Sequence, residues 1–311
     1  MARLQSRLAR CLAGGVSILP SLATAQPAVM TTEHVRAELL AHAPAGIEPG
    51  KPVWLALALQ HQPKWHSYWK NPGDSGLPTA LSWQLDQGAI AGDIAWPTPQ
   101  ALKVGPLINY GYEGTLLLPV PVTIPTRFQA GELHVKLQAE WLVCKDVCVP
   151  ESGEFSLTVP ARGATTRHSA RFEEALSRVP PEPASLQGRA TIERRALRVE
   201  IEGLPLALRG RNLRFFAETA GVIEHAAPIE QRWEAARWIA QVPLSPQRSE
   251  SPTTMHAVLL PAGQTTGIRV RLPISGSWTT ASSMEMPVTN AVAAAWPDNA
   301  SPPALQPRSE R

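Results

Sequence analysis

The sequence predicts an all-β protein: an immunoglobulin-like antiparallel β-sandwich followed by a second, smaller β-sandwich-like domain. The chain has 31 prolines in 311 residues, which disfavours long helices and favours short strands separated by turns. Apolar or alternating runs, such as residues 53–59 and 133–137, recur at the spacing of sandwich strands, and Gly/Pro turn signals separate them. The chain is 44% hydrophobic and 18% charged, a composition that supports a folded core.

Residues 1–25 are predicted to be a secretory signal peptide. They combine three arginines, an apolar run over residues 11–22 and a small-residue cleavage motif that ends at Ala25. The mature chain is therefore expected to begin at Gln26 and to lose Cys11 with the signal. No later segment reaches the roughly 20 apolar residues that a membrane-spanning helix needs. We expect an exported protein without a membrane span, periplasmic if its source is a Gram-negative bacterium.

Shifts in composition predict four further segments. Residues 26–160 carry the strand-like runs of the first sandwich. Residues 161–187 contain a short helix and a Pro-rich linker. A second β-rich domain follows at residues 188–276, and residues 277–311, rich in Ser, Thr, Ala and Pro, are predicted to be a flexible tail.

Charge and residue content argue against several classes of function. The formal net charge is +3 and no run of Lys or Arg stands out, so nucleic-acid binding has no support. The second β-rich domain contains no cysteine and only two histidines, and it shows no catalytic constellation. We predict neither a cofactor nor a metal ion for the chain.

Cys144 and Cys148 are the cysteines that remain after signal removal, and they lie in the sequence WLVCKDVCVPE over residues 141–151. Along one extended strand their Cα atoms would be about 13 Å apart. A disulfide requires Cα atoms within about 7 Å of each other, so the chain must fold back between two bridged cysteines. Residues 145–147 have the length of a tight hairpin loop. The spacing therefore predicts two antiparallel strand ends joined through the cysteine pair.

Two interpretations of this pair remain open. As a structural staple, a bridge around three intervening residues removes little entropy from the unfolded chain and stabilises the fold only slightly. A chain of this length also buries enough surface to fold without it. These points favour a redox pair that opens and closes, whereas a permanent disulfide would make the sandwich a non-catalytic protein-binding module.

Three other patterns are weaker signals. Residues 73–78 resemble a serine-protease nucleophile segment, but the fifth residue is leucine where such proteases have glycine, and too little chain precedes it. His61 and His66 lie among aromatic residues, where a polar-aromatic rim is more common than a metal site or an aromatic cage. Met284 and Met286, together with the two thiols, are of the ligand type that binds Cu(I). A copper-binding or copper-tolerance protein therefore stays as an alternative.

Four segments of the sequence resemble the periplasmic N-terminal domain of the DsbD family of thiol:disulfide interchange proteins, and most closely its ScsB-like members, which are associated with suppression of copper sensitivity. They are residues 65–78, 109–114, 118–125 and 141–151. The resemblance covers roughly residues 30–160 and extends more loosely to about residue 275. It implies an immunoglobulin-like sandwich with a redox-active cysteine pair and the activity of a protein-disulfide reductase or thiol–disulfide oxidoreductase. It also links the chain to cytochrome c biogenesis.

The resemblance implies roles for particular residues and partners. Cys148 would bond to the partner protein and Cys144 would resolve that bond. Four residues would form a cap loop that shields the pair: Asn109, Tyr110, Gly111 and Tyr112. The implied partners are a membrane-embedded thiol electron donor and periplasmic thioredoxin-like or disulfide isomerase proteins. Family members continue into a multi-span membrane domain and a thioredoxin-like domain, which this sequence lacks, so it is either a freestanding form with separate membrane partners or a piece of a longer chain.

Overall fold

Eleven strands make up the first β-rich part of the protein. The computed structural model describes residues 27–278, so the predicted signal peptide, Cys11 and the two tail methionines lie outside the described residues. The strands are β1 (Val29–Thr31), β2 (Val35–His42), β3 (Val53–His61), β4 (His66–Gly73), β5 (Ala80–Leu85), β6 (Ile90–Ala91), β7 (Gln100–Val104), β8 (Leu107–Glu113), β9 (Thr115–Thr123), β10 (Glu132–Cys144) and β11 (Cys148–Pro160).

These strands form two antiparallel sheets. The first sheet has the order β1-β2-β3-β9-β6, and the second has the order β11-β10-β4-β8-β7, with β5 also paired to β10. In β10 the odd-numbered residues from Leu133 to Val143 are buried, whereas the even-numbered residues up to Glu140 are exposed. This alternation gives the second sheet one core-facing side and one outer side.

One apolar core lies between the two sheets. It includes Leu55 and Leu57 from β3, Trp69 from β4, Leu137 from β10 and Phe155 from β11, all of which are almost completely buried. Burial of a large apolar side chain contributes about 2 kcal/mol, so many such residues together dominate the stability of the sandwich. The immunoglobulin-like sandwich predicted for this part of the chain is confirmed.

A single turn-rich connection leads from the sandwich to the second β-rich part. It contains the helix α1 (Ser169–Ser177), which lies in the segment where the sequence predicts a short helix. Phe172 of α1 is buried against Ala56 and other small or branched side chains on the outer side of the first sheet. The helix is therefore fixed to the sandwich by an aromatic anchor although it is only nine residues long.

The second β-rich part contains one sheet of seven strands and a 3-10 helix at Leu206–Leu208. Its strands are β12 (Gln187–Glu193), β13 (Ala196–Glu202), β14 (Leu213–Ala217), β15 (Glu230–Glu234), β16 (Arg237–Pro243), β17 (Thr254–Pro261) and β18 (Ile268–Ser275). Their order in the sheet is β14-β17-β18-β12-β13-β16-β15. The structure is therefore nearly all-β with several sheets, as the sequence predicts.

The second β-rich part packs against strand β4 of the sandwich. The Asn71 side-chain amide donates a hydrogen bond of 2.8 Å to the carbonyl oxygen of Ala217, and Lys70 Nζ lies 3.0 Å from a carboxylate oxygen of Glu218. The Trp69 and Phe216 rings meet edge to face. Contacts join the chain up to Gly276 into one compact unit, and the domain boundaries given above stay predictions.

Within residues 27–278 no helix combines the length and the apolar character that a bilayer crossing requires.

Candidate functional site

The cysteine pair lies at the tip of the β10–β11 hairpin. The two strands are thirteen residues each and pair in continuous register, which ends with Cys144 opposite Cys148. A disulfide joins the two residues, whose Cα atoms are 4.1 Å apart. The three-residue loop between them is closed by a hydrogen bond of 3.1 Å from the Lys145 amide to the Val147 carbonyl oxygen. The strands thus bring the two sulfurs together without help from any other element.

The two cysteines differ in their access to solvent. Cys144 is only 2% exposed, whereas Cys148 is classed among the exposed residues. Cys144 breaks the outward pattern of the even-numbered residues of β10, because its outer side is covered by other parts of the protein. A protein partner that approaches the disulfide therefore meets Cys148 first.

His66 and Tyr68 of β4 cover the disulfide on the outer side of the sheet. His66 is the cross-strand partner of Cys144, so the two side chains leave the sheet on the same side, with Cβ atoms about 5 Å apart. Tyr68, two residues further along β4, lies on that side too. Its hydroxyl oxygen is 3.6 Å from the sulfur of Cys148, within hydrogen-bonding range for a sulfur atom.

The histidines beside the disulfide are uncharged at neutral pH. Burial and, to a smaller extent, the neighbouring His61 lower the pKa of His66 to about 4. Burial also lowers the pKa of His61, against the hydrogen bond that its Nδ1 makes with the Gly114 carbonyl oxygen. Neither Nε2 atom has a hydrogen-bond partner within residues 27–278. These side chains are buried, so they do not form the solvent-facing polar-aromatic rim expected from the sequence, and no group of three or more metal-ligating side chains occurs in the described part of the chain.

The predicted cap loop is wrong as a structural assignment. Its four residues lie inside strand β8 and are buried between β4 and β7: Asn109, Tyr110, Gly111 and Tyr112. The Tyr110 ring packs edge to face on Phe216 and His225, and it lines a cavity of about 640 Å³ next to the second β-rich part. Tyr110 therefore faces away from the disulfide and does not shield it.

Gly111, one of the residues expected in the cap loop, allows two strands to approach closely. Gly111 is the cross-strand partner of Tyr68, and a Cβ atom at this position would overlap the carbonyl oxygen of Ser67. The residue is glycine because two backbones approach closely here, next to an irregularity in the pairing of β4 with β8. The residues expected in the cap loop therefore lie in a central strand, hydrogen-bonded to β4 on one side and to β7 on the other.

The connection between β4 and β5 covers Tyr68, the residue that contacts Cys148. Gly76 lies against the Tyr68 ring so closely that a Cβ atom would be well inside 3.0 Å of it, and its φ is +107°. Next to it Leu77 is 65% exposed, and Val147 at the hairpin tip is 64% exposed. This connection begins with the stretch of residues 73–78, whose sequence resembles a serine-protease nucleophile segment.

A chain of hydrogen bonds links this connection to the disulfide. Ser75 Oγ donates to Asn109 Oδ1 at 3.0 Å, and Asn109 Nδ2 donates to the hydroxyl oxygen of Tyr68 at 3.4 Å. The next contact is the one from Tyr68 to Cys148. Asn109, expected in a cap loop, therefore reaches the cysteine pair only through Tyr68.

Glu151 anchors the start of β11 from the inner side. Its carboxylate accepts hydrogen bonds from Thr32 Oγ1 (2.6 Å), from the His34 amide (3.0 Å) and from Trp141 Nε1 (3.1 Å), and it contacts His34 Nδ1 at 2.9 Å. Burial acts to raise the pKa of Glu151, but these hydrogen bonds outweigh it and hold the pKa below its usual value. The hairpin tip is thus supported by a buried carboxylate three residues beyond Cys148.

The fold and the site define a class of protein, namely immunoglobulin-like sandwiches that carry a cysteine pair at the tip of a hairpin. Residues 36–160 match the family model described as thiol:disulfide interchange protein DsbD, N-terminal. The family is one of thiol–disulfide exchange domains.

Two solved structures are similar to the chain. The N-terminal periplasmic domain of ScsB from Proteus mirabilis is 16% identical and aligns with a TM-score of 0.59 over 82% of this chain and 100% of that one. Likeness at this identity establishes a shared fold, and its extent includes the second β-rich part. The DsbD N-terminal domain of Neisseria meningitidis in the reduced form is 13% identical over 39% of this chain and 90% of that one, with a TM-score of 0.24, which is too low to add to the argument. No curated protein matches the sequence significantly.

Proposed function

We propose that this protein is a periplasmic thiol–disulfide interchange protein. It passes electrons through Cys144 and Cys148, from a membrane-embedded thiol donor to periplasmic thioredoxin-like or disulfide isomerase proteins. One observation carries the proposal: a disulfide in a DsbD-type domain lies at a hairpin tip, with Cys148 exposed and Cys144 almost completely buried. This arrangement suits a pair in which one sulfur meets the partner and the other acts within the molecule.

The exchange proceeds in two steps that together move two electrons. In the reduced protein the Cys148 thiolate attacks one sulfur of a partner disulfide, that S–S bond breaks, and the partner's other sulfur leaves as a thiolate. The Cys144 thiol, once deprotonated, then attacks the Cys148 sulfur, the mixed disulfide breaks, and the partner leaves with both sulfurs reduced. The Cys144–Cys148 disulfide is formed, and a donor dithiol reverses the same steps to reduce it.

Access, rather than a strongly acidic thiol, is the basis of reactivity in this proposal. Neither cysteine lies at a helix N-terminus, and His61 and His66 are uncharged at neutral pH, so they provide no positive charge for a thiolate. The hydroxyl group of Tyr68 is the polar group within hydrogen-bonding range of Cys148. Partners are then discriminated by how well they fit around the exposed Cys148 sulfur.

The structure offers little support for the alternative of a structural staple. The β10–β11 register is continuous over the full length of both strands without the bridge, and the loop that the bridge closes has three residues. Closing so short a loop removes little entropy from the unfolded chain.

A periplasmic location and separate roles for the two β-rich parts belong to the same proposal. The predicted signal over residues 1–25 supports a periplasmic location, and so does the fold shared with a domain described as periplasmic. The predicted division into residues 26–160 and 188–276 assigns the redox chemistry to the first part and a supporting role to the second.

A redox titration of the mature protein against glutathione and dithiothreitol buffers tests the proposal. We expect a reversible transition between a disulfide and two thiols at a potential above about −300 mV, the range of exchange-active pairs. The matched control is the double variant Cys144→Ala/Cys148→Ala, which should show no transition. A pair that stays oxidised below that potential would identify a structural disulfide.

A further inference from the structure

Asn109 takes part in a buried hydrogen-bond chain that ends at the reactive sulfur. Tyr68 is 0% exposed and Asn109 is 1% exposed, so neither side chain exchanges its partner for bulk water. Along the chain Ser75 contacts Asn109, Asn109 contacts Tyr68, and Tyr68 contacts Cys148. Strand β8 holds Asn109 next to β4, whereas Ser75 comes from the connection that covers the site.

The direction of donation along this chain follows from the chemistry of its groups. An amide nitrogen can only donate, so the Tyr68 hydroxyl oxygen accepts from Asn109 Nδ2. The single proton of that hydroxyl is then not used toward Asn109 and can point to the Cys148 sulfur. Ser75 Oγ orients the amide from the other side, because it donates to Oδ1. Burial raises the pKa of Tyr68, and a hydrogen bond between Ser75 and the Tyr68 hydroxyl acts to lower it.

We propose that Asn109 is a positioning residue that makes Tyr68 a hydrogen-bond donor to the Cys148 sulfur. The inference rests on the proposed function only in that a thiolate at Cys148 is the reacting species. A disulfide sulfur is a weak acceptor, whereas a thiolate is a strong one, so the hydrogen bond strengthens when the pair is reduced. Donation to the charged form stabilises the thiolate and lowers the pKa of the Cys148 thiol.

The test measures the pKa of Cys148 in the variant Cys144→Ala, in which Cys148 is the single thiol of the mature chain. The rate of alkylation by iodoacetamide is followed from pH 6 to 11, and its midpoint gives the pKa. In this background Tyr68→Phe should raise the pKa by about one unit, which is a tenfold change in the thiolate-to-thiol ratio, because the hydroxyl donor is lost. Asn109→Leu, which has a similar shape and no donor, should raise the pKa by a smaller amount, because the Tyr68 hydroxyl is no longer held as a donor to the sulfur.

Asn109→Asp reverses the direction of the hydrogen bond between residue 109 and the Tyr68 hydroxyl. A carboxylate accepts the Tyr68 proton and withdraws it from Cys148, so the pKa should rise by an amount similar to that of Tyr68→Phe. A carboxylate also raises the thiol pKa through its charge alone. The double variant Asn109→Asp/Tyr68→Phe separates the two effects, because the part that acts through the hydroxyl is absent without it.

Four results would overturn the inference. An unchanged pKa in Asn109→Leu would show that Asn109 does not direct the Tyr68 hydroxyl, and a lower pKa would show that Tyr68 donates to Asn109 in the native protein. An equal shift from Asn109→Asp with and without the Tyr68 hydroxyl would reduce its effect to charge, and an unchanged pKa in Tyr68→Phe would remove the hydrogen bond itself. Circular dichroism and thermal unfolding check that each variant folds. If Asn109→Asp does not fold, the variants Tyr68→Phe and Asn109→Leu still decide the question. The measurement of the Cys148 pKa needs no redox partner. A negative result in the glutathione titration would therefore count against the proposed function and leave this inference standing.

Discussion

Replacing Gly76 with alanine is expected to destabilise the protein and to expose the cysteine pair. The new Cβ atom would overlap the Tyr68 ring, and Tyr68 cannot move aside because it is completely buried. Overpacking of this kind costs about 2 kcal/mol, and a φ of +107° adds about 1 kcal/mol of backbone strain for a residue with a side chain. We therefore expect a loss of about 3 kcal/mol in the free energy of unfolding.

A matched control separates the contact from the backbone strain. Gly105 also has a positive φ, +59°, but no heavy atom lies within 4 Å of the position that its Cβ would take. Gly105→Ala should therefore lose about 1 kcal/mol, the cost of a left-handed conformation alone. Urea unfolding of the oxidised proteins gives both values, with an unchanged m-value as the sign that the unfolded states are comparable.

The same variant tests whether the β4–β5 connection covers the site. Displacing this connection from Tyr68 opens the approach to Cys148, so iodoacetamide should alkylate the reduced Gly76→Ala protein faster than the wild type. Gly105→Ala should react at the wild-type rate. If Gly76→Ala is as stable as Gly105→Ala and reacts no faster, the reasoning about this cover is refuted.

The remaining predictions concern the exchange reaction, the buried carboxylate and strand β8. Cys144→Ala should trap a covalent complex with a periplasmic partner on non-reducing gels and Cys148→Ala should trap little; trapping by Cys148→Ala alone would reverse the two roles. Glu151→Gln should lower the free energy of unfolding at pH 7 by about 2 kcal/mol, since charge-assisted hydrogen bonds are lost. The folded-state pKa of Glu151 is lowered, so its contribution is present above the unfolded pKa of about 4.3 and is lost as the pH falls through the folded value. Variant and wild type should therefore converge in stability at a pH below the folded value, and a constant difference would contradict this. Tyr110→Ala should destabilise the protein by about 3 kcal/mol through lost packing on Phe216 while the alkylation rate of the reduced pair stays unchanged; a faster rate would restore the cap at β8.

Local patterns in the sequence were sufficient for the fold class and for the hairpin of the cysteine pair. The alternation from Leu133 to Leu137 reports the two sides of β10, because successive side chains of a strand point to opposite faces. The spacing of Cys144 and Cys148 is equally local, since disulfide geometry over four residues leaves only a turn between them. Both inferences use neighbours along the chain and need no knowledge of the other sheet.

The surroundings of the cysteine pair were decided by contacts between distant parts of the chain. Tyr68 meets Cys148 across 80 residues, and Tyr110 packs on a phenylalanine of the second β-rich part. Residues 109–112 form a strand because β4 lies on one side of them and β7 on the other, and the partner in β4 is about 40 residues away. A glycine that permits close approach of two backbones has the same sequence signature as one that permits a mobile loop. Only tertiary structure distinguishes the two, and it therefore decides which segment covers the disulfide.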